Sequence, residues 1–216
     1  MYTIGIDEVG LAASKRRASP NSYTIGIDEV GRGALAGPVV VAAVALPRGF
    51  YPRSKDLPPL RDSKRLSHRQ RVVWFNYLKE SPNVFYASAR VYQGPIDRIN
   101  IARAANIAAS RALDRVILNS DIDDFSILLD GSLYLGHKSH VDFPARTITR
   151  GDEKFISIRL ASIVAKVTRD AYMTKLRAKY PAYGFEVHKG YGTKRHIAKI
   201  RKYGPSDAHR LTYIKS

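Results

Sequence analysis

The chain of 216 residues contains no cysteine, which excludes a disulfide framework, a thiolate nucleophile and a cysteine-based zinc site. It also has no long hydrophobic run. The longest, residues 35–46, is too short to span a bilayer and is interrupted by Gly37 and Pro38. The basic-then-apolar pattern of a signal peptide is missing from the N-terminal residues. We therefore expect a soluble cytoplasmic protein without a membrane partner.

Acidic residues are scarce relative to basic ones: 19 Asp and Glu against 36 Lys and Arg give a formal net charge of +17. An excess of this size favours a polyanionic partner such as nucleic acid, although a solvated basic surface would give the same composition. The length suits one globular domain, and the 44% of apolar residues can supply its core. We expect this domain to be a monomer.

Nine residues, YTIGIDEVG, occur twice, at 2–10 and at 23–31, and each copy carries two adjacent acids. The first copy runs into residues 11–22, a small, polar and basic segment without apolar periodicity, which predicts a flexible linker. Only the second copy continues directly into an apolar run at 39–46. The short connection between these two segments costs less loop-closure entropy, so the second copy should occupy the sheet.

Two predictions about domain organisation follow from the repeat. Residues 1–22 should be a disordered extension that carries a duplicate of the first strand, and residues 23–216 should form the folded domain, including the C-terminal helices. The alternative for the extension is an exposed strand that adds to a sheet edge. Of the two acid pairs, Asp28-Glu29 is predicted to be the functional one.

Hydrophobic periodicity predicts an α/β fold, with a mixed sheet flanked by helices and a helical C-terminal part. The predicted strands cover residues 24–30, 39–46, 83–92, 125–131 and 145–152. One predicted helix is capped by Ser67 and runs to Lys79. Three others cover residues 101–116, 160–171 and 193–202, and Gly204-Pro205 stops the last of them.

Carboxylates recur where predicted strands end: Asp28 and Glu29, then Asp130, then Asp152. Functional sites in open α/β sheets gather near strand ends, and converging acids repel one another unless hard divalent cations lie among them. A basic protein with such a site suits phosphodiester hydrolysis by two metal ions. The alternative is that Asp130 and Asp152 only end strands and cap turns.

One geometric condition applies to the adjacent acids. Neighbouring side chains on a strand point to opposite faces, so Asp28 and Glu29 can share a site only where the strand ends or bulges. Gly31 and Gly33 give the backbone the freedom for such a departure.

Six ordered motifs make the chain resemble the ribonuclease HII family from about Tyr23 to Leu211. They are GIDEVGRGALAGPVVVAAV (26–44), DSKRLS (62–67), LLDG (128–131), RGDEKFISIRLASIVAKVTRD (150–170), HKGYGTKRH (188–196) and HRL (209–211). The resemblance implies a ribonuclease H-like fold that hydrolyses the RNA strand of RNA–DNA hybrids. It also implies cleavage on the 5′ side of single ribonucleotides in duplex DNA, leaving 3′-hydroxyl and 5′-phosphate ends. The duplicated first strand departs from the family pattern.

The resemblance also implies roles for individual residues. The ligands of two Mg²⁺ or Mn²⁺ ions would be Asp28, Glu29, Asp130 and Asp152. Substrate would be bound by the backbone of Gly31-Arg32-Gly33, by Lys64 at a phosphate, and by Tyr191, which would stack on a sugar. Asp170 matches a family motif on a predicted helix, where we expect a structural or supporting role.

Two other interpretations compete with a nuclease. Gly31, Gly33 and Gly37 faintly resemble a dinucleotide-binding loop, but such a loop opens a helix, whereas Gly37 leads into Pro38 and a β-branched run. A non-catalytic nucleic-acid-binding protein with the same fold would have the same net charge. The acid quartet favours the enzyme, because carboxylates in a phosphate-binding groove weaken binding unless metal ions bridge them.

Overall fold

The computed structural model describes residues 22–136 and 140–214. Its strands are β1 (Tyr23–Val30), β2 (Val39–Pro47), β3 (Phe85–Val91), β4 (Phe125–Asp130) and β5 (Ala145–Ile148). Its helices are α1 (His68–Glu80), α2 (Gln93–Ile99), α3 (Ile101–Leu118), α4 (Gly151–Lys154), α5 (Ile156–Lys179), α6 (Phe185–His188) and α7 (Lys194–Tyr203). Short 3₁₀ turns occupy Ser63–Arg65 and Leu211–Tyr213. The predicted disordered extension lies outside the described residues, apart from Ser22.

The described strands form one mixed sheet in the order β3-β2-β1-β4-β5. β2 is antiparallel to both of its neighbours, whereas β4 runs parallel to β1 and β5 runs parallel to β4. The predicted mixed α/β sheet is therefore confirmed. Because β1 and β4 are adjacent and parallel, their carboxyl ends meet at one edge of the sheet.

Helices cover both faces of this sheet, and β2 shows why its sequence is apolar throughout. Successive strand residues face opposite sides. One set packs in a cluster with the small residues of α3, and comprises Val39, Val41, Ala43 and Ala45. The alternate set packs in a second cluster with α5 and α1, and comprises Ala42, Val44 and Leu46. The strand therefore lies in the middle layer of three.

Local signals at helix ends agree with the sequence. Ser67 begins α1 with a capping box, in which its hydroxyl accepts from Gln70 N and the Gln70 side chain accepts from Ser67 N. Thr193 caps α7 by accepting from His196 N, and α7 ends at Gly204, whose φ is 73°. Both predicted boundaries are confirmed.

One predicted strand boundary is wrong, and one helix was not predicted. β5 ends at Ile148 rather than at Asp152, because Arg150 takes a left-handed conformation and the chain turns into α4. Helix α2 was absent from the prediction, since Gly94 and Pro95 suggest a turn. Proline is tolerated there because the first turn of a helix leaves its backbone N–H groups without helical partners.

The C-terminal part is helical, as predicted, and it packs against the segment that follows β1. A third apolar cluster joins Ala36 to Met173 of α5, Phe185 of α6 and Ile200 of α7. Backbone bonds fix the same junction, including Gly37 N to Ala208 O at 2.8 Å. None of the helices in the described ranges is both long and apolar enough to cross a bilayer.

Candidate active site

A cavity of about 660 Å³ lies where β1 and β4 end. The structure brings together six of the nine predicted site residues in its lining, namely Asp28, Glu29, Asp130, Asp152, Lys64 and Tyr191. These residues come from strands, from a 3₁₀ turn, from a short helix and from the loop before α7. The fold therefore brings together the acids and the predicted substrate-binding residues, which are far apart in the sequence.

Asp28 is the most buried of the four acids, with 6% of its surface exposed. Its Oδ1 accepts from the backbone N–H of Glu29 at 2.7 Å, and it also hydrogen-bonds to Ser162 of α5. Burial raises the pKa of Asp28 well above its usual value, and the neighbouring carboxylates of Glu29 and Asp130 raise it further. The two hydrogen bonds oppose this rise in pKa but do not outweigh it.

Glu29 reaches the same cavity without a break in the strand. β1 keeps its regular register with β2 through Val30, so the expected strand end or bulge at these acids is wrong. Pairing between β1 and β4, however, stops at Ile27, so the last residues of β1 extend beyond the segment that is paired with β4. The Glu29 carboxylate contacts Arg32 Nη1 at 3.2 Å. Burial raises the pKa of Glu29, although Arg32 opposes this shift.

Asp130 links the other acids. It is the last residue of β4, and its Oδ1 accepts from Gly151 N at 2.6 Å. Its charge raises the pKa of Asp28, Glu29 and Asp152 alike. For Asp152, which lies in the first turn of α4, burial is the larger cause of the raised pKa and Lys64 opposes it. The four carboxylates therefore form one electrostatically coupled group.

The chemistry of this group fits a hard divalent cation. All four side chains offer carboxylate oxygens, which such ions prefer. Glu29 Oε2 is buried and accepts no hydrogen bond from any residue that the structure describes. A cation would supply that missing partner and relieve the mutual repulsion.

The acids are not already closed into a metal cage. No group of three or more His, Cys, Asp or Glu side chains in the described ranges is arranged to hold a metal ion. Three of the carboxylates instead have protein partners, since Asp28 accepts from Glu29 N, Glu29 contacts Arg32, and Asp130 accepts from Gly151 N. Metal binding would therefore require these side chains to reorient.

The predicted loop Gly31-Arg32-Gly33 follows the acids but does not line the cavity. Gly31 has a φ of +91°, and a Cβ there would lie 2.2 Å from Arg169 Nε, so this position needs glycine. Gly33 is exposed and has open space where a Cβ would be. Arg32 Nη1 also donates to Ser132 Oγ at 2.9 Å, which ties the loop to the segment after Asp130.

Two buried arginines hold the segments that follow β1 and that carry Tyr191, and neither was singled out from the sequence. Arg169 is fully buried and donates to the backbone oxygens of Ala36, Pro38 and Lys189 at 2.8–3.0 Å. Its guanidinium also lies 5.3 Å from the centroid of the Tyr191 ring. Burial lowers its pKa. Arg210 donates to Arg32 O at 2.8 Å, and burial is the largest cause of the lowering of its pKa to about 10.

A histidine cluster supports the loop that carries Tyr191. His196 Nδ1 lies 2.9 Å from Tyr191 O and its Nε2 lies 3.1 Å from His209 Nε2, so one of these two facing nitrogens must be unprotonated. His188 stacks on His196 with ring centroids 4.1 Å apart. Burial is the main reason why the pKa of His196 falls to about 4. These neutral rings act as packing and hydrogen-bonding groups behind the cavity.

The mixed sheet, its flanking helices and the acids at the ends of β1 and β4 define a ribonuclease H-like protein. The family model described as ribonuclease HII matches residues 25–216, and the chain belongs to this family of hydrolytic nucleases. A Chlamydia pneumoniae protein named ribonuclease HII is 43% identical over 182 residues, which cover 84% of this chain and 78% of that protein.

Solved structures agree with the fold. The chain superposes on ribonuclease H2 from Pyrococcus horikoshii OT3 with a TM-score of 0.69 and 26% identity, covering 88% of this chain and 93% of that one. It is also similar in fold to Bst-RNase HIII in complex with Mn²⁺, with a TM-score of 0.63 and 20% identity, over 94% of this chain and 68% of that one. The predicted family and fold are thus confirmed.

Proposed function

We propose that this protein is an endoribonuclease that hydrolyses the RNA strand of RNA–DNA hybrids and cuts on the 5′ side of single ribonucleotides in duplex DNA. The observation that carries the proposal is the coupled group of four carboxylates, with the unpartnered Glu29 Oε2, inside a protein of net charge +17. Membership of the ribonuclease HII family supports the same activity.

Asp28, Glu29, Asp130 and Asp152 would hold two divalent ions, Mg²⁺ or Mn²⁺. When bound, such ions stabilise charge on phosphoryl and leaving-group oxygens and lower the pKa of a coordinated water. Protein contacts hold two of these ligands in the cavity: Ser162 hydrogen-bonds to Asp28, and Gly151 N donates to Asp130. Hydrolysis would leave 3′-hydroxyl and 5′-phosphate ends. The Mn²⁺ complex of the similar Bst-RNase HIII fold supports this choice of ions.

Recognition of RNA would come from the segments that border the acids. The backbone of Gly31-Arg32-Gly33 can approach a nucleotide closely because Gly33 is exposed and has no side chain. The 2′-hydroxyl is the group that distinguishes RNA from DNA. Tyr191 would stack on the sugar beside the cleavage site, and the exposed Lys64 would contact a phosphate. Affinity for the duplex would come mainly from Lys and Arg contacts with phosphates.

A cleavage assay separates this activity from non-catalytic binding. The substrate is a labelled DNA duplex with one ribonucleotide, and the control is the all-DNA duplex of the same sequence. We expect one cut at the ribonucleotide with Mg²⁺ or Mn²⁺, no cut with EDTA, and no cut in the control. Binding without cleavage under all of these conditions would favour the non-catalytic protein, and equal cutting of the all-DNA duplex would exclude a ribonuclease.

The substitution Tyr191→Ala tests recognition of the ribonucleotide. If the ring stacks on the substrate as an aromatic side chain stacks on a base, its loss should remove about 1–3 kcal/mol of transition-state stabilisation and lower kcat/KM accordingly. We expect a larger loss on a single embedded ribonucleotide than on a continuous RNA–DNA hybrid. Tyr51→Ala is the matched control, since Tyr51 is 75% exposed and does not line the cavity. Equal losses on both substrates would make Tyr191 a packing residue.

A further inference from the structure

Asp170, on α5, is buried between two cations. Only 3% of its surface is exposed, Lys166 Nζ lies 2.8 Å from its Oδ1, and Arg71 Nη2 lies 3.9 Å from its Oδ2. Both cations line the same cavity as the four acids. One buried carboxylate thus positions two positive side chains on the cavity wall and leaves that wall with excess positive charge.

The two cations differ in how well their donors reach the cavity, since the side chain of Arg71 is 11% exposed and its Nε, which has no partner among the described residues, is buried. Arg71 Nη1 already donates to two backbone oxygens, Ser63 O at 2.8 Å and Leu66 O. Lys166 has three N–H donors, and within the described ranges its hydrogen bond is the one to Asp170. The side chain of Lys166 is 22% exposed, so it is both anchored and accessible. Lys166 is therefore the cation that can reach a ligand in the cavity.

Lys166 also lies beside the predicted sugar-binding residue. Its Nζ is 6.0 Å from the centroid of the Tyr191 ring. Lys64, the predicted phosphate-binding residue, instead lies near Asp152, where its charge opposes the rise in the pKa of that carboxyl. The cavity thus carries one cation beside α4 and another beside Tyr191, with the four acids lining the same space.

We propose that Lys166 binds a backbone phosphate of the substrate next to the nucleotide stacked on Tyr191, and that Asp170 is the positioning residue that holds Lys166 there. The inference rests on the proposed function for the identity of the substrate. A polynucleotide presents phosphates at regular spacing, so a strand that places one phosphate among the acids brings a neighbouring one towards the cationic wall. The ligand of Lys166 is then a phosphodiester that is not cleaved.

Binding measurements without metal test this assignment independently of cleavage. The probe is a duplex DNA with one ribonucleotide, titrated in EDTA at several salt concentrations. Removing one phosphate contact by Lys166→Met should flatten the plot of log K against log salt by about 0.9. Lys175→Met is the matched control, because Lys175 is an exposed lysine of the same helix outside the cavity. We expect it to leave the slope unchanged, and Lys166→Arg to restore the slope.

Asp170→Asn separates positioning from net charge. If only charge mattered, removing an acid would tighten binding to a polyanion. If Asp170 holds Lys166 in place, the substitution should weaken binding and flatten the slope as Lys166→Met does. Tighter binding would overturn the role of Asp170. If this variant proves too unstable in a thermal melt, the salt slopes of the lysine variants test the proposal without it. Equal slopes for Lys166→Met and Lys175→Met would overturn the proposal. Absence of cleavage by the wild type would contradict the proposed function but leave these slopes interpretable.

Discussion

Replacing Asp28 or Asp130 with asparagine should abolish turnover while leaving binding to the duplex largely intact. Metal ions at a phosphoryl centre supply several kcal/mol of transition-state stabilisation, so the loss in kcat should be about 10³-fold or more. Binding should survive, because it depends mainly on phosphate contacts with Lys and Arg. Cleavage rates and duplex affinity measured on the same preparations check both parts of this prediction.

Thermal melts provide a second readout for Asp28→Asn. Burial and neighbouring acids raise the pKa of Asp28, so its charged form destabilises the fold near neutral pH. The neutral asparagine should therefore not lower the melting temperature. Added Mg²⁺ or Mn²⁺ should stabilise the wild type through mass action, and stabilise the variant less.

The duplicated motif supplies an internal control for this experiment. Asp7→Asn with Glu8→Gln changes the same two residues in the first copy and should leave activity unchanged, as should deletion of residues 1–22. Normal cleavage by Asp28→Asn, or loss of cleavage in the Asp7 and Glu8 variant, would show that the wrong acid pair was assigned.

Local sequence signals were sufficient to predict most of the sheet and to place three of the four acids on its strands. Period-two alternation and the turn residues around them place Asp28, Glu29 and Asp130 correctly, because these signals lie within a few residues of each acid. Asp152 is different. It was predicted to end a strand over residues 145–152, but the left-handed Arg150 redirects the chain into α4. Such a conformation is uncommon outside glycine and is not encoded by a recognisable local pattern.

The two buried arginines could not be assigned from the sequence, because their roles depend on distant partners, and the partners of Asp170 could not be named for the same reason. Arg169 donates to Ala36 and Pro38, more than a hundred residues earlier. On a helix an arginine beside an aspartate usually indicates a solvated surface, yet α5 packs against the sheet and buries both Arg169 and Asp170. The tertiary structure shows that Arg169 and Arg210 hydrogen-bond to the backbone of the segments that follow β1, and that Asp170 hydrogen-bonds to a lysine that lines the cavity.

The substitution Gly26→Ala should be strongly destabilising. Gly26 lies in β1 where α5 crosses the sheet, and a Cβ there would be 2.2 Å from the carbonyl carbon of Ser157 and 2.3 Å from Ile158 N. Both atoms belong to the backbone, so no side-chain rotation relieves the overlap. Overpacking of this kind costs about 1–3 kcal/mol, and sometimes more. For a chain of this size each kcal/mol lowers the melting temperature by about 2–4 °C. Activity should also fall, since α5 carries Ser162, which hydrogen-bonds to Asp28.

Gly5→Ala is the matched control, because Gly5 is the same residue of the repeated motif in the first copy. The second copy occupies β1, between β2 and β4, and the close contact with α5 is made by Gly26. Gly5→Ala should therefore leave both the melting temperature and activity at wild-type values.

If instead both substitutions destabilise the protein equally, the two copies exchange in the centre of the sheet. Deleting residues 1–22 in the Gly26→Ala background then tests whether the first copy replaces the second copy in the sheet. If it does, the deletion removes this replacement, and the melting temperature falls further.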